Sequence, residues 1–210
     1  MVVQNFSSKF ISQLNHLKLP GWEAQQIMSP KPDLDRQKFE LNNYRKAAAL
    51  ILLYLEDNKL FLPAIKRTQD GGVHGGQISL PGGQIESTDA SSMITAMRET
   101  EEEIGIPRKD VVIIRALTDV YIPPSNFLVT PFVGFVPEKP TWKPSQREVD
   151  YVVEISFADL LDERNVQYTR KKMHHVEYTI PYYFINNEKI WGATAMILSE
   201  FIAIMRHLEH

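Results

Sequence analysis

The hydrophobic pattern of the chain separates segments of strand character from segments of helix character. Residues 47–55 are uninterruptedly apolar, and a second apolar segment, residues 60–65, follows after a short polar link. Two such runs predict a β-hairpin. The same criteria predict a second hairpin, turning at Asn186-Asn187, and three further strands. These five segments are residues 178–185 and 189–191, and residues 111–116, 128–136 and 149–155.

Other segments place apolar residues three and four positions apart, which predicts helices. They are residues 5–18, 90–103 and 194–207, with a short helix over residues 157–161. In the second helix we expect Met93, Ile94, Met97 and Ile104 to form the apolar face, Asp89 to cap the start and Gly105 to end it. Because strands and helices are mixed without strict alternation, the predicted fold class is α+β, or an α/β/α sandwich.

The chain is expected to hold one principal domain preceded by an extension. Residues 1–44 are predicted as an N-terminal helix and a proline-containing arm, and residues 45–207 as the domain. Residues 208–210 resemble the start of a purification-tag junction and are set aside. The first and last helices either pack on the domain or form a homodimer contact, and the sequence leaves both open.

Composition and charge narrow the class of protein. The 210-residue chain is 43% hydrophobic, enough for a core, and its net charge of −3 argues against nucleic-acid binding through bulk charge. The absence of cysteine excludes a disulfide framework, a thiolate zinc site and a cysteine nucleophile. The longest apolar run has nine residues, whereas a membrane span needs about 20. No secretory leader is visible, so we expect a cytoplasmic protein without a membrane segment.

Candidate chemistry is concentrated in one stretch of the chain. Six of the ten glycines lie within residues 71–83, where the backbone must turn sharply or approach another group closely. The helix predicted next carries Glu99, Glu102 and Glu103 at i, i+3 and i+4, on one face. A hard divalent cation, Mg²⁺ or Mn²⁺, would relieve the repulsion among them; a solvated acidic face is the alternative. Glu101 points elsewhere and is expected to be an ordinary surface residue.

This stretch resembles the signature of the Nudix hydrolases. Gly83 is followed after five residues by Asp89 and, after eight more, by Arg98-Glu99-Thr100-Glu101-Glu102-Glu103 and then Ile104-Gly105-Ile106. Three features depart from the family pattern: Asp89 in place of Glu, one extra residue before Arg98, and Thr100 in place of an apolar residue. The first two are also found in the branch of the family that resembles coenzyme A pyrophosphatases.

Two further matches point to that branch. Upstream, the agreement covers Arg67, His74, Gly76-Gln77 and Pro81-Gly82-Gly83. Within the same segment Gly71-Gly72 replaces a Leu-Arg pair, and the missing arginine is a candidate phosphate contact. Downstream, the agreement covers Ile190-Trp191-Gly192-Ala193-Thr194-Ala195, before the last helix.

The resemblance implies a Nudix-type α/β/α sandwich with a mixed β-sheet and a metal-dependent pyrophosphohydrolase. It assigns Glu99, Glu102 and Glu103 to Mg²⁺ or Mn²⁺, and Arg98 to holding a signature glutamate in position. Either Glu102 or Glu103 could accept the proton of the attacking water. The alternatives are acids of a later loop, Glu148, Asp150 and Glu154.

Substrate contacts are expected from Arg67, through a phosphate, and from Gly82 and Gly83, whose backbone can approach metal and phosphate. His74 is expected to make a loop hydrogen bond. The basic residues 170–172, together with His174-His175, are expected to form a solvated loop. Contact with the 3′-phosphate of a coenzyme A-like substrate is the alternative for this cluster.

Three functions follow from the resemblance, all with a small-molecule nucleotide partner and no nucleic acid or membrane. The first is hydrolysis of coenzyme A or a derivative to 4′-phosphopantetheine and adenosine 3′,5′-bisphosphate. The second keeps the pyrophosphatase chemistry but changes the substrate to ADP-ribose or another nucleoside diphosphate derivative, which the Gly71-Gly72 departure favours. The third is a non-catalytic Nudix-fold ligand-binding module. Such modules usually lose signature glutamates, which this chain retains.

Overall fold

The structure is a computed structural model that describes residues 8–30, 43–69, 71–72, 74–173 and 176–208. Its helices are α1 (Ser8–His16), α2 (Trp22–Gln25), α3 (Ser92–Ile104), α4 (Phe157–Leu161) and α5 (Gly192–Leu208). Its strands are β1 (Arg45–Glu56), β2 (Lys59–Arg67), β3 (Ile78–Ser79), β4 (Gly82–Gln84), β5 (Val112–Ala116), β6 (Val120–Ile122), β7 (Phe127–Phe135), β8 (Val149–Ser156), β9 (Val166–Met173), β10 (Val176–Ile185) and β11 (Glu188–Trp191). Single turns of 3₁₀-helix lie at Gln26–Met28, Arg108–Asp110, Pro123–Ser125 and Glu163–Asn165.

Strand β1 is the centre of a mixed sheet. In the described chain, eight strands form this sheet in the order β3-β2-β1-β7-β5, with β4 added to β1, β6 to β7 and β8 to β2. β1 runs antiparallel to β2 and parallel to β7. Strands β9, β10 and β11 form a separate antiparallel sheet. Both predicted hairpins are confirmed, and their turns at Asp57-Asn58 and Asn186-Asn187 have positive φ, as tight hairpin turns require.

The continuous apolar run of β1 is explained by burial on both faces of the sheet. Alternate residues of β1 enter two different clusters. One cluster, with Ile51 and Leu53, also contains side chains of α1 and α5. The other, with Leu50 and Leu52, also contains side chains of α3. The sheet therefore lies between helices, which confirms the predicted α+β sandwich with a mixed sheet.

Helix α3 differs from its prediction in its cap and in its buried face. Ser91, not Asp89, caps the helix by accepting a hydrogen bond from the Ile94 N–H. Met93 is 37% exposed, so its place on the predicted apolar face is wrong. Polar side chains share the buried face instead: Thr95, Arg98, Thr100 and Glu103. Gly105 ends the helix in the left-handed conformation, as predicted.

Four strands were missed, β3, β4, β6 and β9, and the last of them corrects a functional expectation. β6 is only three residues long, and β9 is rich in polar and charged residues, so neither has the apolar alternation on which the strand predictions depend. The basic residues 170–172, expected in a loop, lie in β9. His174-His175 lie outside the described residues.

The N-terminal helix packs on the domain. Phe10 and Leu14 of α1 are buried in the same cluster as α5, and the Arg115 guanidinium donates to the Leu17 carbonyl at 2.9 Å and also to the Leu14 carbonyl. The predicted arm is described only as far as residue 30 and again from residue 43. Helix α5 includes Leu208, which the sequence prediction set aside. None of the helices in the described part of the chain has the length and apolarity needed to cross a membrane.

Candidate active site

The glycines that precede α3 allow strand β4 to lie between β1 and the glutamates of the helix. Gly82 pairs with Ala49 and Gly83 with Ala48. A Cβ atom on Gly82 would overlap the Ala48 carbonyl oxygen and lie 2.6 Å from Ala49 Cα. A Cβ atom on Gly83 would overlap the Glu99 carboxylate. The close approach expected of these glycines is therefore made to β1 and to Glu99; their predicted contact with metal and phosphate stays a prediction.

Glu103 is a buried carboxylate held by two different strands. Its side chain is 1% exposed. Oε2 accepts from the Gly82 N–H at 2.8 Å, and Oε1 accepts from the Arg67 guanidinium at 3.3 Å. Burial raises the pKa of Glu103 to about 8, although both donors oppose the increase. The structure thus brings predicted substrate residue Arg67 to the carboxylate face of α3.

Arg98 connects the start of α3 to its carboxylates through one buried guanidinium. Nε and Nη2 donate to the two oxygens of Asp89 at 3.1 and 3.0 Å. Nη1 lies 2.9 Å from both Glu99 Oε1 and Glu102 Oε2, and Nη2 also donates to the Gln84 carbonyl. Arg98 therefore contacts two signature glutamates rather than one, and its predicted role in holding them in position stays a prediction.

Asp89 has a different role from the one predicted. Its carboxylate binds Arg98, and it also accepts from the Glu86 N–H and the Thr95 hydroxyl. The Arg98 guanidinium holds the pKa of Asp89 well below its usual range. Spacing in the sequence suggested a helix cap because Asp is a good capping residue, and nothing in the local pattern distinguishes a cap from an arginine partner nine residues away.

The other acids divide into those near the site and those outside it. The Glu102 side chain is 55% exposed. Glu99 is more buried, and burial raises its pKa, although the charge of Arg98 opposes that increase. The charge of Glu148 raises the pKa of both Glu99 and Glu103, so this later-loop acid lies near the site. Glu154 instead accepts from Tyr54, Trp142 and Lys139.

Glu101 lies outside the site, as predicted. Its carboxylate makes a surface ion pair with Arg108 at 2.6 Å, and both side chains are substantially exposed. Asp150, the third later-loop acid, is an exposed residue of β8.

The acids of α3 fit a hard divalent cation by their chemistry. Glu99, Glu102 and Glu103 offer carboxylate oxygens, which Mg²⁺ and Mn²⁺ prefer. Glu99 and Glu103 are desolvated, and a cation would offset that cost. Among the described residues, no three His, Asp or Glu side chains are already arranged as a closed ligand set. The guanidinium of Arg98 contacts Glu99 and Glu102 instead.

Comparison with known proteins identifies the family. The NUDIX domain family matches residues 44–177. The chain belongs to the Nudix family. It is also 35% identical, over 176 aligned residues, to an uncharacterised Nudix hydrolase named NudL from Salmonella paratyphi B and to its counterpart from Salmonella newport, covering 77% of this chain and 83% of each relative. This level of identity and coverage makes the chain a Nudix hydrolase relative over most of its length.

Solved structures agree with the Nudix fold. A MutT/nudix family protein from Enterococcus faecalis superposes with a TM-score of 0.54 at 15% identity, covering 99% of this chain and 73% of that protein. The NUDIX domain of Shewanella oneidensis NrtR, determined with ADP ribose, gives a TM-score of 0.53 at 14% identity, covering 85% and 95% of the two chains. At such low identity these likenesses support the fold alone.

A cavity of about 940 Å³ lies beside the Nudix signature. Arg67, Gly82 and Gly83 line it, together with His74. The His74 Nδ1 atom lies 3.4 Å from Gln77 Oε1, which is the loop contact predicted for this histidine. The cavity therefore joins the predicted substrate residues on one wall.

Sequence reasoning missed one other wall of this cavity and gave a second only as an alternative. Trp22, Ser29 and Pro30 line it from the N-terminal segment, and Lys171 and Trp191 line it from the second sheet. The Lys171 ammonium lies 5.0 Å from the centroid of the Trp191 ring, within the range of a cation–π contact. Trp191 belonged to a matched motif, but the N-terminal residues lie before the family match and carried no motif.

Proposed function

We propose that this Nudix protein is a metal-dependent pyrophosphohydrolase that cleaves coenzyme A or a derivative to 4′-phosphopantetheine and adenosine 3′,5′-bisphosphate. The observation that supports the chemistry is the group of signature glutamates beside strand β4, two of them bound by Arg98. The glycines of β4 that contact Glu99 and Glu103 line a cavity large enough for a nucleotide. All three glutamates and the arginine are present, which favours an enzyme over a non-catalytic binding module.

The residues of α3 have separate roles in hydrolysis. Glu99, Glu102 and Glu103 would hold Mg²⁺ or Mn²⁺, which neutralises the diphosphate and makes bound water more acidic. Arg98 fixes the Glu99 and Glu102 carboxylates in one orientation. Both oxygens of Glu103 already accept hydrogen bonds, whereas Glu102 is open to solvent. We assign proton acceptance from water to Glu102.

Arg67 and the glycines act on the substrate side. Arg67 is paired with Glu103 and lines the cavity, so its guanidinium can contact a phosphate oxygen while it holds the carboxylate. Gly83 leaves the room that Glu99 needs, since any side chain there would meet the carboxylate.

The choice of coenzyme A over other nucleoside diphosphates is supported by Lys171. The coenzyme A-type pattern has an arginine where this chain has Gly72, which also lines the cavity. Lys171 supplies a cation to the same cavity from strand β9, held over Trp191. A substrate with a phosphate beyond the diphosphate would use that charge. ADP-ribose, which lacks this phosphate, is the second candidate, favoured by the loss of the arginine.

A substrate panel tests the proposal. Coenzyme A, acetyl-coenzyme A, dephospho-coenzyme A, ADP-ribose, diadenosine polyphosphates and nucleoside triphosphates are incubated with the protein and Mg²⁺ or Mn²⁺. Release of 4′-phosphopantetheine at the highest kcat/KM supports the proposal. Turnover confined to ADP-ribose supports the second candidate, and binding without turnover of any compound supports the ligand-binding module.

A further inference from the structure

Glu200 is a fully buried carboxylate that the signature does not use. It lies on α5 and is 0% exposed. Its oxygens accept from the Gly21 N–H at 3.2 Å, from the Gln25 amide at 2.8 Å, and from the Thr118 hydroxyl and N–H at 2.6 and 3.2 Å. A buried carboxylate is costly unless it is fully hydrogen-bonded. Glu200 meets that condition only if the N-terminal segment and the β5–β6 link are both in place.

Other contacts attach the same segment to α5. The Ser199 hydroxyl donates to the Ala24 carbonyl at 2.7 Å, and the Gln25 amide also donates to the Thr118 carbonyl at 3.0 Å. Met28 is buried in the core. Gly21 has a φ of +58°, and a Cβ atom there would lie 3.3 Å from Thr118 Oγ1. Residues 21–30 are thus held in one position on the domain; we call them the N-terminal wall.

The N-terminal wall presents side chains to the cavity that lies beside the candidate active site. Trp22 follows Gly21 directly and lines the cavity, as do Ser29 and Thr118. Arg67, Gly82 and Gly83 line it beside the glutamates, so a diphosphate held there would leave the rest of the substrate to the other walls. Trp22 offers a large apolar surface suited to an uncharged group.

We propose that Trp22 is a specificity-determining residue that contacts an uncharged part of the substrate, and that Glu200 is the positioning residue that holds it there. The inference rests on the proposed function and extends it. It assigns a part in substrate choice to a segment outside the residues that match the family. The ligand is a nucleoside diphosphate derivative whose base or acyl-bearing arm reaches this wall.

The experiment compares three variants in the intact chain. Trp22→Ala removes the aromatic surface, Trp22→Phe retains most of it, and Ile27→Ala is the matched control, because Ile27 lies in the same wall but is 66% exposed. For whichever panel compound is turned over fastest, Trp22→Ala should raise KM about tenfold, the size expected for one lost aromatic contact, with kcat changed little. Trp22→Phe should largely restore KM, and Ile27→Ala should match the wild type.

Glu200→Gln tests the positioning role. It removes the charge while keeping the shape, and it should raise KM in the same direction as Trp22→Ala, with circular dichroism checking that the fold is kept. A double variant, Glu200→Gln with Trp22→Ala, should be no worse in KM than Trp22→Ala alone, since both act through one contact. Additive losses in the double variant would overturn the positioning role.

A binding measurement separates this inference from the proposed function. Calorimetry with coenzyme A and with ADP-ribose in EDTA gives affinities without turnover. If no panel compound is hydrolysed but Trp22→Ala weakens binding while Ile27→Ala does not, the proposed hydrolase fails and the inference stands. Equal KM and affinity in Trp22→Ala and Ile27→Ala, or no binding of either compound by the wild type, would overturn the inference.

Discussion

Among single residues, Arg98 determines the geometry of the candidate site. One buried guanidinium contacts Asp89, Glu99 and Glu102, and only the planar fork of arginine can make a two-bond contact to Asp89 while reaching the other two. The carboxylates that would hold a metal are therefore oriented by a residue that need not touch it. Glu101 belongs to the same run of acidic residues in α3 but does not contact Arg98. It therefore serves as the control residue for the other glutamates of the helix.

Glu102→Gln should lower kcat by a factor of about 10²–10⁴, because the variant loses the carboxylate that accepts the proton from water. The measurement is steady-state turnover of the best panel compound with saturating Mg²⁺. Glu101→Gln should remain within about twofold of the wild type, since its only effect is on a surface ion pair. Comparable losses in the two variants would contradict the helix-face assignment.

The two adjacent glycines should respond differently to alanine. In Gly83→Ala the new Cβ meets the end of the flexible Glu99 side chain, so the carboxylate moves and kcat falls at least about tenfold, whereas the free energy of unfolding changes by less than about 1 kcal/mol. In Gly82→Ala the Cβ meets the backbone of β1, and stability should fall by about 3 kcal/mol. Urea denaturation and turnover, measured together, check both. A large stability loss in Gly83→Ala would contradict this account.

At the scale of elements, β9 brings a cation to the cavity. Residues one apart on a strand point to opposite faces, so Lys171 and Lys172 form a matched pair, and of the two only Lys171 lines the cavity in the described structure. Under the proposed function, strand β9 thereby links the second sheet to substrate choice.

Lys171→Ala should raise KM for coenzyme A about fivefold and leave KM for dephospho-coenzyme A unchanged, because only the former carries the additional phosphate. Lys172→Ala should alter neither value. Initial-rate kinetics on the two compounds provide the test. An equal effect of Lys171→Ala on both would mean that this ammonium does not recognise the additional phosphate.

The accuracy with which the sequence predicted each helix or strand depends on how deeply that element is buried. The hairpin β1–β2 and helix α5 were predicted closely because long apolar segments buried in the core leave a strong pattern. β9 was missed because its charged residues carry no alternation, and its place is set by pairing with β10. The signature located Glu99, Glu102, Glu103 and Arg98. The Asp89–Arg98 contact was missed although the two residues are only nine apart, because Asp89 also suits a helix cap. The N-terminal wall depends on contacts between residues distant in sequence.

At the scale of the whole molecule, the Asp89–Arg98 contact connects the site to stability in acid. A carboxyl whose pKa is lower in the folded than in the unfolded chain contributes stability that is complete above its unfolded pKa, near 4. That contribution is lost as the pH falls toward the folded value. Asp89 is such a group.

Asp89→Asn should therefore be less stable than the wild type at pH 7, with the difference shrinking as the pH falls below about 4. Denaturant unfolding of both proteins between pH 7 and pH 3 measures the difference in free energy. Asp110→Asn, which changes an exposed acid of a 3₁₀ turn, should follow the wild type throughout. A gap between Asp89→Asn and the wild type that stays constant with pH would rule out the charge contact as its source.

Some residues that line the cavity lie inside the family match and others lie outside it, which affects how far members of the family share an activity. Arg67, Gly82 and Gly83, which line the cavity next to the glutamates, lie inside the family match, whereas Trp22, Ser29 and the start of α5 lie outside it. The reaction chemistry and the ligand preference can therefore change independently as homologues diverge. Two homologues with the same signature need not share a substrate, and exchange of the first 30 residues between them should transfer preference without transferring the hydrolytic step.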